Sequence, residues 1–268
     1  MVPPAIEAEN LNRTFRRGGW LSSGSEIVAV RDATFRVARG ETLAIVGESG
    51  SGKSTIARML VGLDRPTRGT IRLEGQDLST LTGWDRRMLG RRIQYVFQDP
   101  VASLNPRHRI GEILGSTLTG LAAMAGRAAR RARMEELLHH VGLEAESLQR
   151  YPHEFSGGQA QRIAIARALA AEARIIVLDE PVSALDVSVQ AQVLLLLDRL
   201  KAEFDLTYVF ISHDLAVVEA ISDRVMVMQG GEIVETGSAE GLFAAPRAAY
   251  TRSLLASAPR LDRASETL

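Results

Sequence analysis

One short stretch constrains this chain more than any other: Gly47-Glu48-Ser49-Gly50-Ser51-Gly52-Lys53-Ser54-Thr55. It follows an apolar run, Thr42 to Val46, that reads as a buried strand, and it leads into Thr55 to Val61, which reads as a helix. Strand, glycine-rich loop and helix in that order are the setting in which G-x-x-x-x-G-K-[ST] forms a phosphate-binding loop. Gly47, Gly50 and Gly52 let the backbone turn tightly, so that successive N–H groups point into one concavity. The helix that begins there adds the positive end of its dipole. In such a loop Lys53 reaches the β- and γ-phosphates of a nucleoside triphosphate, and the Ser54 hydroxyl ligates Mg²⁺.

A chain of 268 residues has room for one large domain or two small ones. Lys+Arg and Asp+Glu both number 32, so no global field draws it to nucleic acid or an anionic membrane. The absence of cysteine excludes disulfides, iron–sulfur clusters and cysteine-based zinc sites. Met1 to Asn10 holds two glutamates and no apolar core, unlike a secretory signal. Apolar runs such as Val193 to Leu197 are far too short to cross a bilayer. The expectation is a protein made in the cytoplasm, soluble or peripheral.

Strands are expected at Ile27–Val30 and Ala33–Val37 before the loop, with Arg16 to Ser25 as a loop and Trp20 as a surface anchor within it. Phe15, upstream, reads either as a stacking partner for an adenine ring or as a core or strand-edge aromatic. Two further strands, Thr70–Glu74 and Arg92–Phe97, follow the first helix, and the second ends in Gln98-Asp99-Pro100. A polar residue where a strand stops is well placed to meet a ligand at the carboxyl edge of a sheet. Helices are expected over Gly111–Met124 and Arg127–Val141. The basic run Arg127, Arg130, Arg131 and Arg133 meets Glu135 and Glu136 at once and reads as a solvated face. His139 and His140 are adjacent, point to different helix faces and form no metal pair.

Ser156-Gly157-Gly158-Gln159 opens a helix with Ser156 at the N-cap, a second place where dipole and N–H groups converge on an anion. The apolar strand Arg174 to Leu178 then ends in Asp179-Glu180-Pro181. Two carboxylates at such a strand end are costly unless they serve a metal or a reaction. One would hold Mg²⁺ through its water shell, and the other would polarise the attacking water. Ser183-Ala184-Leu185-Asp186 forms a turn before a helix from about Ser188 to Phe204, and the strand Thr207–Ile211 ends in Ser212-His213-Asp214. His213 thus stands at another strand end where candidates already converge. Gly230-Gly231 between Arg224–Met228 and Glu232–Glu235 signals a hairpin, and short helices broken by Pro246 and Pro259 follow.

With these residues in place the chain resembles the ATP-binding subunit of an ABC transporter, over roughly Ala8 to Pro259. Six motifs carry the resemblance in order. They are the Walker A loop Gly47–Thr55, the Q-loop Gln98, the signature Phe155–Gln159 with Phe in place of the usual Leu, Walker B Ile175–Glu180, the D-loop Ser183–Asp186 and the H-loop His213. The resemblance implies an α/β fold: a P-loop NTPase core of ABC type with a helical signature subdomain and an antiparallel β region. It implies a single nucleotide-binding domain over 1–268, with its core at about 1–98 and 160–240, helical subdomain at about 99–159 and C-terminal extension at about 241–268. Two such subunits would pair head to tail, so that Ser156, Gly157, Gly158 and Gln159 meet the γ-phosphate of ATP held mainly by the partner. Glu180 would be the general base, and His213 would hold the γ-phosphate and attacking water in line. Lys53 would bind phosphate, Ser54, Asp179 and Gln98 would serve Mg²⁺, and Phe15 and Asp186 would line the nucleotide.

Phe97 to Arg107, Pro152 to Ser156 and Tyr250 to Leu255 are similar to the oligopeptide/dipeptide/nickel importer branch of that family. That resemblance implies a second, non-identical ATPase subunit, two membrane permease subunits and an extracytoplasmic solute-binding protein. The chain would lie at the cytoplasmic face of the inner membrane, with no nucleic-acid partner. Peptides lead as the solute, and nickel, glutathione and sugar-like solutes stay open. The C-terminal cysteine cluster of some members cannot form here. The rival reading is a soluble ABC ATPase acting on nucleic acid or an enzyme complex; a single cassette and a short, cysteine-free insertion speak against it. A P-loop kinase would leave Ser156–Gln159 and His213 unexplained.

Overall fold

The computed structural model describes residues 3–17, 25–80 and 85–257. The first third builds β1 (Ile6–Arg17), β2 (Ser25–Val37), β3 (Thr42–Val46), α1 (Lys53–Leu60), β4 (Arg68–Leu73) and β5 (Gln76–Asp77). The middle is mainly helical: α2 (Asp85–Arg92), the strand β6 (Ile93–Val96), α3 (Pro100–Ser103), α4 (Ile110–Gly120) and α5 (Arg127–His140). The last part alternates, with α6 (Gly157–Ala170), β7 (Ile175–Asp179), α7 (Val187–Phe204), β8 (Thr207–Ile211), α8 (Leu215–Ile221) and β9 (Arg224–Gln229). It closes with β10 (Glu232–Ser238), α9 (Ala239–Ala244) and α10 (Ala249–Ser257).

β3 is buried at every position, as a strand without polar alternation must be when both sheet faces are covered. It lies inside a six-stranded sheet of order β10-β9-β3-β8-β7-β6. All neighbouring pairs are parallel except the β9–β10 hairpin. The two-residue period of the strands divides the core. Ile175 and Val177 of β7 with Val209 and Ile211 of β8 face α1 and a second, antiparallel sheet of order β2-β1-β4-β5. Ile176, Leu178, Tyr208 and Phe210 point the other way, into a cluster with α4, α5, α6 and α7. A third cluster packs Ala44, Val46, Val225 and Val227 against residues of α8, α9 and α10.

Several expected bounds shift. Ile27–Val30 and Ala33–Val37 belong to one strand, β2, paired along its length with β1, which was not expected. Arg16, Arg17 and Ser25 are part of that ladder and not of a loop, while Trp20 lies outside the described residues. α1 begins at Lys53, two residues early, because the left-handed Gly52 is its N-cap. α4 stops at Gly120, short of Met124. The strand expected from Arg92 starts at Ile93 because Arg92 closes the unforeseen α2. Among the described residues, no helix is long and apolar enough to cross a membrane.

Candidate active site

Because β3, β6, β7 and β8 are parallel, their carboxyl ends share one sheet edge. Val96 pairs with Leu178, Asp179 with Ile211, and Ile45 with Ile211. The residues just beyond those pairs must meet, and they do. Gln98 Nε2 donates to Glu180 Oε2 at 2.9 Å, and His213 Nδ1 lies 3.2 Å from Glu180 Oε1. Ser183 Oγ of the following turn is 3.5 Å from Gln98 Nε2. Glu180 itself has φ +48, in the left-handed region, immediately before Pro181. That conformation costs a non-glycine residue on the order of 1 kcal/mol. Three bonds hold it: the Glu180 N–H donates to Ile211 O at 2.9 Å, and Glu180 O accepts from Ser183 Oγ at 3.1 Å and from the Ser183 N–H at 3.3 Å. Backbone strain of this kind collects where a side chain must be aimed.

The phosphate loop leaves β3 at the same edge. The β9–β10 hairpin braces it from one side, with Gly231 N donating to Ser51 O at 3.1 Å. Gly47, Gly50 and Gly52 all have positive φ. A Cβ on Gly52 would lie 2.4 Å from Ala29 O, so β2 crosses too close for any side chain there. Lys53 is buried, and its Nζ donates to Gly47 O and Glu48 O, both at 2.8 Å, with Ser51 Oγ at 3.5 Å. Burial pulls its pKa below the ordinary lysine value, and the nearby Glu180 and Asp179 carboxylates oppose that shift. Ser49, Ser54 and Thr55 complete the loop, with Ser49 and Ser54 exposed.

Asp179 joins the loop to the sheet edge. Its Oδ1 accepts from Ser54 Oγ at 3.2 Å, and its Oδ2 accepts from the Tyr95 hydroxyl at 2.5 Å. Burial, aided by that bond, pushes the Tyr95 hydroxyl well above the usual tyrosine pKa. Tyr95 was not singled out from the sequence, where it looks like any strand aromatic. The Ser54 hydroxyl, the Asp179 carboxylate and the Gln98 amide oxygen are hard oxygen donors. They suit Mg²⁺, which takes few protein ligands and completes its shell with phosphate and water. Among the described residues, no group of three or more His, Cys, Asp or Glu is placed to hold a metal ion.

The signature residues stand apart from this cluster. Ser156 caps α6 by accepting from Gln159 N at 3.4 Å, and Gln159 Oε1 accepts from Ser156 N at 3.1 Å. The two glycines admit α7 and the turn before it: a Cβ on Gly158 would lie 2.4 Å from Val189 Cγ1, and one on Gly157 3.3 Å from Leu185 Cδ2. Ser156, Gly157 and Gln159 are exposed, and no hydrogen bond joins 156–159 to the Lys53–Glu180 cluster among the described residues. Asp186 caps α7, with Oδ1 accepting from Val189 N at 2.9 Å and Ser188 Oγ at 2.7 Å. Phe15 lies on β1 opposite Ile27, partly exposed, with the Arg13 guanidinium 4.4 Å above its ring. One contact was unforeseen: the Glu48 N–H of the loop donates to the Tyr250 hydroxyl of α10 at 3.1 Å.

Residues 30–183 match the family model described as ABC transporter. The chain is 51% identical to a putative peptide import ATP-binding protein of Brucella ovis over 236 residues, covering 88% of this chain and 74% of that one. It is 44% identical to the oligopeptide transport ATP-binding protein OppF of Streptococcus mutans over 257 residues, covering 96% and 82%. Among solved structures it is similar to a dimeric post-hydrolysis state of the ATP-binding cassette MJ0796 bound to ADP and Pi. That match has a TM-score of 0.77 and 29% identity, and covers 87% of this chain and 98% of that one. It is similar also to cbiO1 of Clostridium perfringens, part of the ABC transporter complex cbiONQ, with a TM-score of 0.78, 27% identity and coverage of 91% and 92%. A phosphate loop, paired carboxylates and His213 on one sheet edge, in a chain matched by that model over more than half its length, make this protein a member of the ABC transporter family.

Proposed function

We propose that this chain is the ATP-hydrolysing subunit of an importer of di- or oligopeptides. The observation that carries the catalytic reading is Glu180, strained at a strand end and held between Gln98 and His213. In that position its carboxylate takes the proton of the attacking water, while His213 Nδ1 keeps water and γ-phosphate aligned. Lys53 exchanges the Gly47 and Glu48 carbonyls for phosphate oxygens, and the loop N–H groups surround the remainder. Mg²⁺, when bound, supplies further neutralisation of phosphate charge; Ser54, Asp179 and Gln98 would hold it. Phe15 stacks on the adenine. Ser156, Gly157 and Gln159 are exposed, and among the described residues 156–159 make no hydrogen bond to their own chain's cluster, which supports their meeting, together with Gly158, the γ-phosphate of ATP on a partner subunit, with Asp186 at the junction.

Similarity to the Brucella and Streptococcus proteins named for peptide import and oligopeptide transport supports the solute class. The partners are then two permease subunits, a second, non-identical ATPase subunit and an extracytoplasmic binding protein, at the cytoplasmic face of the inner membrane. The test has two parts. Glu180→Gln should keep ATP binding and lose roughly 10²–10⁴-fold in turnover, the usual contribution of a general base; hydrolysis near the wild-type rate would overturn the assignment. Affinity capture from detergent-solubilised host membranes should retain two multi-span permeases and a second ATPase. Retention of only soluble proteins or nucleic acid would favour the non-transport reading.

A further inference from the structure

The two oxygens of Asp179 face different partners, and among the described residues each has one. Oδ1 meets Ser54 Oγ on the side of the phosphate loop, and Oδ2 meets the Tyr95 hydroxyl on the side of β6. Tyr95 is paired in register with Val177, so its side chain reaches two residues along the neighbouring strand to find the carboxylate. Its ring also lies 4.5 Å from that of Phe97, which directly precedes Gln98. A carboxylate at a strand end has a broad, weakly defined terminal torsion, and a single bond from an exposed serine does little to fix it. A short bond from a phenol anchored in a strand does fix it, and it leaves Oδ1 as the oxygen presented to the loop.

We propose that Tyr95 is a positioning residue for Asp179, clamping Oδ2 so that Oδ1 and Ser54 are held ready for the cation that accompanies ATP. The Tyr95–Phe97 contact then ties the rotamer of that carboxylate to the strand that delivers Gln98. This rests on the reading of Asp179 as a metal-holding group. Partners that orient a metal ligand from behind are commonly worth 10–100-fold in metal affinity.

The test uses the whole chain and a non-hydrolysable ATP analogue, whose affinity is measured in EDTA and across a Mg²⁺ titration. Tyr95→Phe keeps the ring and removes only the hydroxyl, and Asp179→Asn serves as the reference. The expected result is that Tyr95→Phe leaves affinity in EDTA unchanged and shifts the Mg²⁺ midpoint upward by about tenfold, with a larger loss in Asp179→Asn. A tyrosine that only fills space would leave both arms at the wild-type value, because phenylalanine keeps the ring. If Asp179→Asn loses its metal response while Tyr95→Phe matches wild type, or weakens both arms equally, the positioning role is overturned and the metal reading stands. If Asp179→Asn responds to Mg²⁺ as wild type does, the metal reading fails and the role of Tyr95 falls with it.

Discussion

Gly47 is a fixed position of the phosphate-loop pattern and Gly50 a free one, and the structure gives the physical reason. A Cβ on Gly47 would lie 2.1 Å from the Met228 carbonyl oxygen and 2.9 Å from Ser51 Oγ, at φ +147. The Met228 carbonyl cannot yield, because it belongs to the backbone of β9. At Gly50, φ is +80 but nothing lies within 4 Å. Gly50→Ala therefore meets only the left-handed penalty, on the order of 1–2 kcal/mol. Titration with a fluorescent ATP analogue should show Gly50→Ala within about thirtyfold of wild type, the equivalent of roughly 2 kcal/mol, and Gly47→Ala with no measurable binding. Equal losses in the two variants would mean that backbone strain, and not the approach of β9, dictates the glycine at 47.

At the scale of single elements, helices succeed the strand ends, and aspartate caps start three of them: Asp99 at α3, Asp186 at α7 and Asp214 at α8. Asp214, one residue past His213, accepts from Ala216 N at 3.0 Å and Val217 N at 3.3 Å and so starts α8. Asp214→Ala should cost about 1 kcal/mol of stability in urea unfolding, whereas Asp214→Asn, also a good N-cap, should cost a few tenths. Equal stability of all three proteins would exclude the cap as what steadies the His213 turn. Such parts were partly legible beforehand. Strands β3, β7 and β8 announce themselves as unbroken apolar runs, and the residues that follow them could be named as site candidates from that alone. β1 could not, because Ile6–Arg17 is largely polar and its pairing with β2 and β4 is interrupted by register shifts. α2 escaped because Asp85–Arg92 is dominated by arginine and offers no apolar stripe. Tyr95 escaped for a different reason. Its role depends on which strand lies beside β6, and strand order is set by pairings far apart in sequence.

Over the whole molecule, the nucleotide loop is assembled from both ends of the chain. β3 pairs Thr42 with Tyr208 and Leu43 with Arg224, and the loop beyond it is braced by Gly231 and Tyr250. A chain stopped after Phe204 would keep the phosphate loop and the signature but lose both neighbours of β3. It should show no cooperative urea transition and no ATP binding, and a two-state transition in that fragment would contradict this dependence. The same wiring has a meaning for synthesis. Thr42 leaves the ribosome 166 residues ahead of Tyr208, its partner on β8, an interval of roughly 8–33 s at ~5–20 residues per second. Throughout it, the five residues of β3, each of them buried in the finished protein, have no strand on either side. The apolar strand that carries the ATP site thus waits, during synthesis, for the partners that later cover it, and an exposed apolar strand of that kind is open to aggregation.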